Sequence, residues 1–122
     1  MLRRFSSKEQ KRRLYSSVYL KSNYEEFNFI GIENHVNYIH SNKEMTLELA
    51  FGISGFLNST YLDLYYRSLN GNTQVNASEI RKIPFPKKCK ILEIGKMILT
   101  NNINIGNNLD KIICDILKLP IL

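Results

Sequence analysis

Arg3, Arg4, Lys8, Lys11, Arg12 and Arg13 crowd the first thirteen residues, with one acid, Glu9, among them. Side chains of this kind neutralise phosphates and release condensed counterions, which gives affinity for nucleic acid without regard to its sequence. Ser6 and Ser7 lie between the arginine pairs and add neutral hydrogen-bond donors. Continued to Lys21, the block holds seven basic residues against one acid, a surplus of six that equals the net charge of the whole chain. The other 101 residues carry ten basic and ten acidic side chains. A surplus confined in this way is the footprint of a polyanion-binding surface. A solvated tail has the same composition, but Leu14, Val18 and Leu20 pattern the block as part of a folded unit.

Reading a sequence needs side chains that match base edges, and Asn and Gln can pair bidentately with adenine in the major groove. Asn72, Thr73, Gln74 and Asn76 form the densest set of this kind. They are equally ordinary turn and cap residues, so base reading and simple connection both stand. Glu33, Asn34, His35, Asn37, Tyr38 and His40 make a second polar constellation. Two histidines and a glutamate on a strand are too few ligands for a metal centre, which favours a hydrogen-bonded network, with DNA contact by Asn34 or His35 as the second reading. Arg81 and Lys82, with Lys87, Lys88 and Lys90 beyond them, form a second basic cluster. The chain offers no nucleophile, base and stabiliser that could act together, which excludes an independent enzyme.

These candidates need elements to hold them. Leu14, Ser16, Val18 and Leu20 alternate with Arg13, Tyr15, Ser17 and Tyr19, the period of a half-buried strand. Residues 1–6 are expected to pair with it as a hairpin whose connection carries the lysines. Phe29 to His40 alternates again, with Ile30, Ile32, Val36 and Tyr38 on the apolar side, and predicts another strand. From Glu44 to Leu69 no proline intervenes and apolar residues recur at helical spacing on several faces, predicting one long buried helix. Gly52, Ser54, Gly55 and Ser59 would weaken that helix if exposed, so they are expected to admit a second backbone at close range. Asn70-Gly71-Asn72 should end it.

Residues 73–86 read as short and extended, since Pro84 and Pro86 push their predecessors out of helical backbone. Two helices are predicted after it, near 89–100 and 109–119, the second with Leu109, Ile112, Ile113, Ile116 and Leu117 as a packing stripe. The expected fold is therefore α+β. A small N-terminal antiparallel sheet of hairpin plus strand (1–40) is followed by a long buried helix (44–69), a loop and extended Pro-containing segment (70–86), and two C-terminal helices (89–119). All 122 residues fit a single domain, for which about 100–150 residues is ordinary. No apolar run reaches the roughly 20 residues that span a bilayer. Cys89 and Cys114, far apart in expected helices, suit buried thiols in a reducing cytoplasm better than a disulfide.

The run Gly71-Asn72-Thr73-Gln74-Val75-Asn76-Ala77-Ser78-Glu79-Ile80-Arg81-Lys82-Ile83-Pro84-Phe85-Pro86 resembles the C-terminal recognition region of type II restriction-modification adenine methyltransferases. Three further stretches resemble the same family in the same order. They are Arg3 to Leu14, Ile32 to His40, and Phe56-Leu57-Asn58-Ser59 leading to Tyr65-Tyr66-Arg67. A more distant likeness joins the segment ending at Pro86, and the helix after it, to the specificity subunits of type I systems. The family's catalytic Asn-Pro-Pro-Tyr or Asp-Pro-Pro-Tyr motif, which holds the flipped adenine, is absent, and the six glycines form no cofactor loop.

The resemblance implies a target-recognition domain that grips double-stranded DNA while a methyltransferase catalytic domain, in cis or in trans, carries out methylation from S-adenosylmethionine. The chain itself is then expected to hold no cofactor and no metal, to sit in the cytoplasm away from membranes, and to lack activity alone. Phosphate contact falls to Arg3, Arg4, Ser6, Ser7, Lys8, Lys11, Arg12 and Arg13. Base reading falls to Asn72, Thr73, Gln74 and Asn76, with Asn34, His35, Arg81 and Lys82 as further contacts. The alternative is an interaction fragment that completes a methyltransferase in trans, or a homo-oligomer formed through the apolar helix.

Overall fold

A computed structural model of the chain describes residues 1–3, 13–32, 36–69, 75–101 and 107–119, with only the backbone of Leu69 and Asn107. The elements run β1 (Leu2–Arg3), β2 (Val36–Asn37), α1 (Leu47–Leu57), α2 (Thr60–Leu69), α3 (Ala77–Arg81), α4 (Lys88–Asn101) and α5 (Asn107–Leu117). The class is α+β, with a two-stranded antiparallel sheet at the N-terminus and helices after it.

The helical frame is set by glycine. Thr46 caps α1 by accepting from the Leu49 amide at 3.2 Å. Packing of α1 on α4 is so close that a Cβ on Gly52 would stand 2.0 Å from the Ile91 carbonyl oxygen, and one on Gly95 would stand 1.8 Å from that of Glu48. Gly55 faces Ile98 and Ile94 in the same interface. The close backbone approach expected here is thus present at Gly52, and Gly95 answers it from the opposite helix, whereas Gly55 meets side chains and Ser54 and Ser59 make hydrogen bonds instead. Beyond this contact Ile94, Ile98, Leu109 and Ile113 form one apolar cluster, with the α5 stripe turned inward as the sequence predicts.

The long helix expected over 44–69 is two helices. Asn58 and Ser59 interrupt it because their side chains bond to backbone outside a helical ladder. The Ser59 hydroxyl donates to the Phe56 carbonyl at 2.7 Å and accepts from the Leu62 amide at 3.2 Å, ending one helix and opening the next. Asp110 of α5 then takes the Thr60 amide at 2.8 Å and the Thr60 hydroxyl at 2.5 Å. The extended segment expected over 73–86 is also corrected. Asn76, in extended backbone, precedes the five-residue helix α3, and irregular chain resumes only towards the two prolines.

In the N-terminal part, residues 1–3 do lie antiparallel to 15–17. Arg3 donates to the Tyr15 carbonyl at 2.8 Å and Ser17 to that of Met1 at 2.9 Å, with a single bridge between Leu2 and Ser16. The strand expected from Arg13 to Leu20 does not extend further, and β1 instead pairs with β2, Leu2 opposite Asn37 and Arg3 opposite Val36. Of the strand expected over Phe29 to His40, only Val36–Asn37 forms among the described residues. Ile30 and Ile32, read as core-facing, are exposed, and Phe29 is 90% exposed. Ile30 and Ile32 instead line an apolar pocket against α1. Leu2 and Leu14 carry this part into the main core, where they join Phe56, Leu57, Leu62, Tyr66, Val75, Ile80, Ile83 and Ile91. Cys89 is exposed and Cys114 half-buried, which corrects the reading of both as buried thiols.

Candidate nucleic-acid interface

Arg13 is fully buried, the largest side chain so enclosed. Its guanidinium lies over the Tyr66 ring, 5.5 Å from the centroid, and its backbone amide donates to Asp63 at 2.7 Å. Asp63 is shared with Arg67, which holds its other oxygen at 2.9 Å. A cation in this position is used inside the protein and does not reach a phosphate, so Arg13 leaves the phosphate-contacting set. Its flanking residues Arg4, Ser6, Ser7, Lys8, Lys11 and Arg12 lie outside the described residues, as do Asn34, His35, Asn72, Thr73 and Gln74. Arg3 is exposed on β1, its guanidinium 5.5 Å from the centre of the Tyr15 ring.

What the structure does show is where the borders of these stretches meet. Arg3, the residue before 4–12, pairs with Val36, the residue after 33–35. Asn37, next along β2, donates through its side-chain amide to the carbonyl of Val75 at 2.8 Å, and Val75 is the residue after 70–74. Tyr66, within a turn of the end of α2, donates to Glu79 of α3 at 2.5 Å and thereby clasps the two helices on either side of 70–74. Arg13, the residue after 4–12, rests on that same tyrosine. One described residue bordering each of these three stretches, Arg3, Val36 and Val75, is thus linked to the others through β1, β2 and the Asn37 side chain.

Asn76, nominated for base reading, occupies the N-cap position of α3, half-buried, with its amide 3.5 Å from Glu79. Arg81 and Lys82 are exposed at the other end of α3, where basic side chains also favour the helix dipole. Between β2 and α3 lies an open groove of about 490 Å³. Leu2, Val36, Ala77 and Ile80 give it an apolar part, and Asn37, Tyr38, His40 and Arg81 line it as well. The Tyr38 and His40 rings lie against each other in a tilted pair, with centres 5.4 Å apart and planes at 33°. Sequence reasoning left Tyr38 in the apolar face and His40 in a polar network. Only the alternate spacing of an aromatic and an imidazole on one strand hinted that the two rings meet. The Tyr66–Glu79 clasp left no signal in the sequence, because a tyrosine in a helix reads as core.

A second, more apolar pocket of about 240 Å³ lies where the N-terminal part meets α1, lined by residues such as Val18, Ile30, Ile32, Ile39, Met45 and Ile53. Among the described residues no group of three metal-ligating side chains comes together, and no helix is long and apolar enough to cross a membrane.

No protein-family model and no solved structure matches the chain. Two curated proteins do. The type II methyltransferase M.BsuBI of Bacillus subtilis is 39% identical over 107 residues, which is 87% of this chain and 21% of that protein. The type II methyltransferase M.PstI of Providencia stuartii is 37% identical over 99 residues, 80% of this chain and 19% of that protein. The chain spans about a fifth of the length of the relatives it matches. At such identity over most of its length, this chain is homologous to one part of type II methyltransferases.

Proposed function

We propose that the chain is the DNA-recognition part of an adenine-specific type II restriction-modification methyltransferase, acting with a catalytic part that supplies methyl transfer from S-adenosylmethionine. The observation that carries this reading is the joint just described. The residues Arg3, Val36 and Val75, each next in sequence to a stretch rich in phosphate-binding or base-matching side chains, are joined through β1, β2 and Asn37. Phosphate contact is assigned to Arg3, Arg4, Ser6, Ser7, Lys8, Lys11 and Arg12, supported by the surplus of positive charge at that end of the chain. Base reading is assigned to Asn72, Thr73 and Gln74, with Asn76 setting the turn after them, Asn34 and His35 entering from the neighbouring border, and Arg81 and Lys82 flanking the site.

The test is retention of a randomised duplex pool by the purified chain at two salt concentrations, followed by sequencing of the retained DNA. Enrichment of a short adenine-containing motif, with affinity falling steeply as salt rises, is the expected result. Retention that ignores salt, or a pool that emerges unchanged, sinks the reading. A second reading is favoured by the apolar pocket and by exposed Phe27, Phe29 and Ile30, which suit a chain that docks onto a separate methyltransferase subunit. Light scattering of the chain mixed with such a subunit distinguishes it: a strict monomer that never joins the subunit removes it.

A further inference from the structure

The groove between β2 and α3 has the make-up of a site for one nucleotide, and neither the phosphate set nor the base-reading set uses its aromatic wall. We propose that it takes a single unstacked nucleotide of the bound DNA, its base against Tyr38 and His40 and its phosphate on Arg81. This rests on the DNA-recognition reading and adds a subsite to it.

Three observations support the assignment. First, Tyr38 is 57% exposed although it is an aromatic residue directly after a strand, and its ring is already ordered against His40. A paired, solvent-facing π surface is what base stacking needs, and stacking is tolerant of base identity because every base has a π face. Second, the opposite side of the groove brings Arg81 from a different element, exposed and with no carboxylate partner among the described residues. Third, the lining includes the apolar Leu2, Val36, Ala77 and Ile80, which suits the edge of a base or a deoxyribose better than a hydrated anion alone. Asn37 lines the groove too, but its amide is committed to Val75, so it holds the wall in place and the groove recognises stacking and charge more than a hydrogen-bond pattern.

The experiment is side-chain NMR of the full chain during titration with each deoxynucleoside monophosphate, with inorganic phosphate as control and with duplex DNA in a parallel arm. The Tyr38 and His40 ring signals and the Arg81 guanidinium signal are expected to shift together with any of the four nucleotides. Tyr38→Phe should keep the affinity, and Tyr38→Leu should lower it about tenfold, within the range of base–aromatic stacking. Because Tyr38 is largely exposed, both variants are expected to fold, checked by unchanged backbone spectra. Ring signals that stay still while Arg81 responds equally to inorganic phosphate reduce the groove to an anion site and overturn the proposal, as does equal affinity in Tyr38→Leu. Salt-sensitive duplex binding that leaves the groove signals unmoved also overturns it while leaving the recognition reading intact. Groove shifts with nucleotides in a chain that ignores duplex DNA do the reverse.

Discussion

The α1–α4 pair and the segment from residue 13 to 40 are held by opposite means. In the first, two helices meet backbone to backbone through Gly52 and Gly95. In the second, little regular structure forms among the described residues, and besides Leu14, which enters the core, the chain is fastened to the helices at separate polar points. Arg13 sits on Tyr66 and bonds to Asp63, and Ser16 exchanges two hydrogen bonds with the Asn58 side chain, at 2.8 and 3.0 Å. Asn37 holds Val75. The difference teaches that the helices form a frame able to stand by its own packing, while the N-terminal part takes its position from the frame. The borders of the stretches proposed to contact DNA belong to the second kind.

The largest effect should come from the frame. Gly95→Ala places a methyl group 1.8 Å from the Glu48 carbonyl oxygen, and only movement of one helix relative to the other can relieve it. Overpacking against backbone costs about 3 kcal/mol, at the top of the usual range, because no flexible side-chain tip is available to give way. Urea unfolding followed by helix dichroism measures the loss. Tyr38 signals should disappear in the same transition, since the N-terminal part has no support of its own. A Tyr38 transition that stays at the wild-type midpoint breaks the comparison.

Arg13→Ala probes the other side. The change keeps the backbone bond to Asp63, which Arg67 also still holds, and removes the guanidinium from over Tyr66. About 2 kcal/mol is expected, chiefly from the emptied space over that ring. At moderate denaturant the stacked pair of Tyr19 and Tyr24 should lose its ordered signals before helix dichroism falls. Simultaneous loss of both would mean that Arg13 is part of the frame.

How far the sequence foretold this division depends on the range of the interactions. Helices α4 and α5 were legible within a few residues, since their apolar periodicity is local and strong. The stretches proposed for phosphate contact stand out as composition, and apart from Arg3 and Arg13 they lie outside the described residues. The burial of Arg13 was not legible, because the rule that arginine faces solvent yields only to partners fifty residues away, Asp63 and Tyr66. The break in the long helix failed for the same reason: Asn58 and Ser59 are tolerable inside a helix, and only the distant Ser16 and Asp110 make a break there worth forming. Alternation at Phe29 to Ile32 promised a strand, but a strand also needs a neighbour, and none pairs with these residues among those described.

A smaller effect belongs to Asn58→Ala. Its side-chain amide meets both backbone groups of Ser16 as a neighbouring strand would, and its removal leaves an N–H and a carbonyl in a half-buried place. A cost of about 1.5 kcal/mol is expected, since water reaches part of the site and replaces some of what is lost. Faster amide exchange at Ser16, with α4 amides unchanged, is the signature that places the loss in the fastening and not in the frame. Equal acceleration in α4 would refute it.

The smallest effect sharpens the comparison most. Phe29 is the most exposed large apolar residue of the described chain, in contrast to Leu14, which carries the same segment into the core. A core phenylalanine replaced by a small residue costs about 3–5 kcal/mol, whereas substitutions at an exposed site away from caps and networks stay within about 0.5 kcal/mol. Phe29→Ser is expected to fall in the second class in urea unfolding of the chain alone, and to weaken any association with a methyltransferase subunit that covers this surface. A loss of several kcal/mol in the isolated chain would show instead that Phe29 is packed in solution, and that the segment from 13 to 40 has a core of its own.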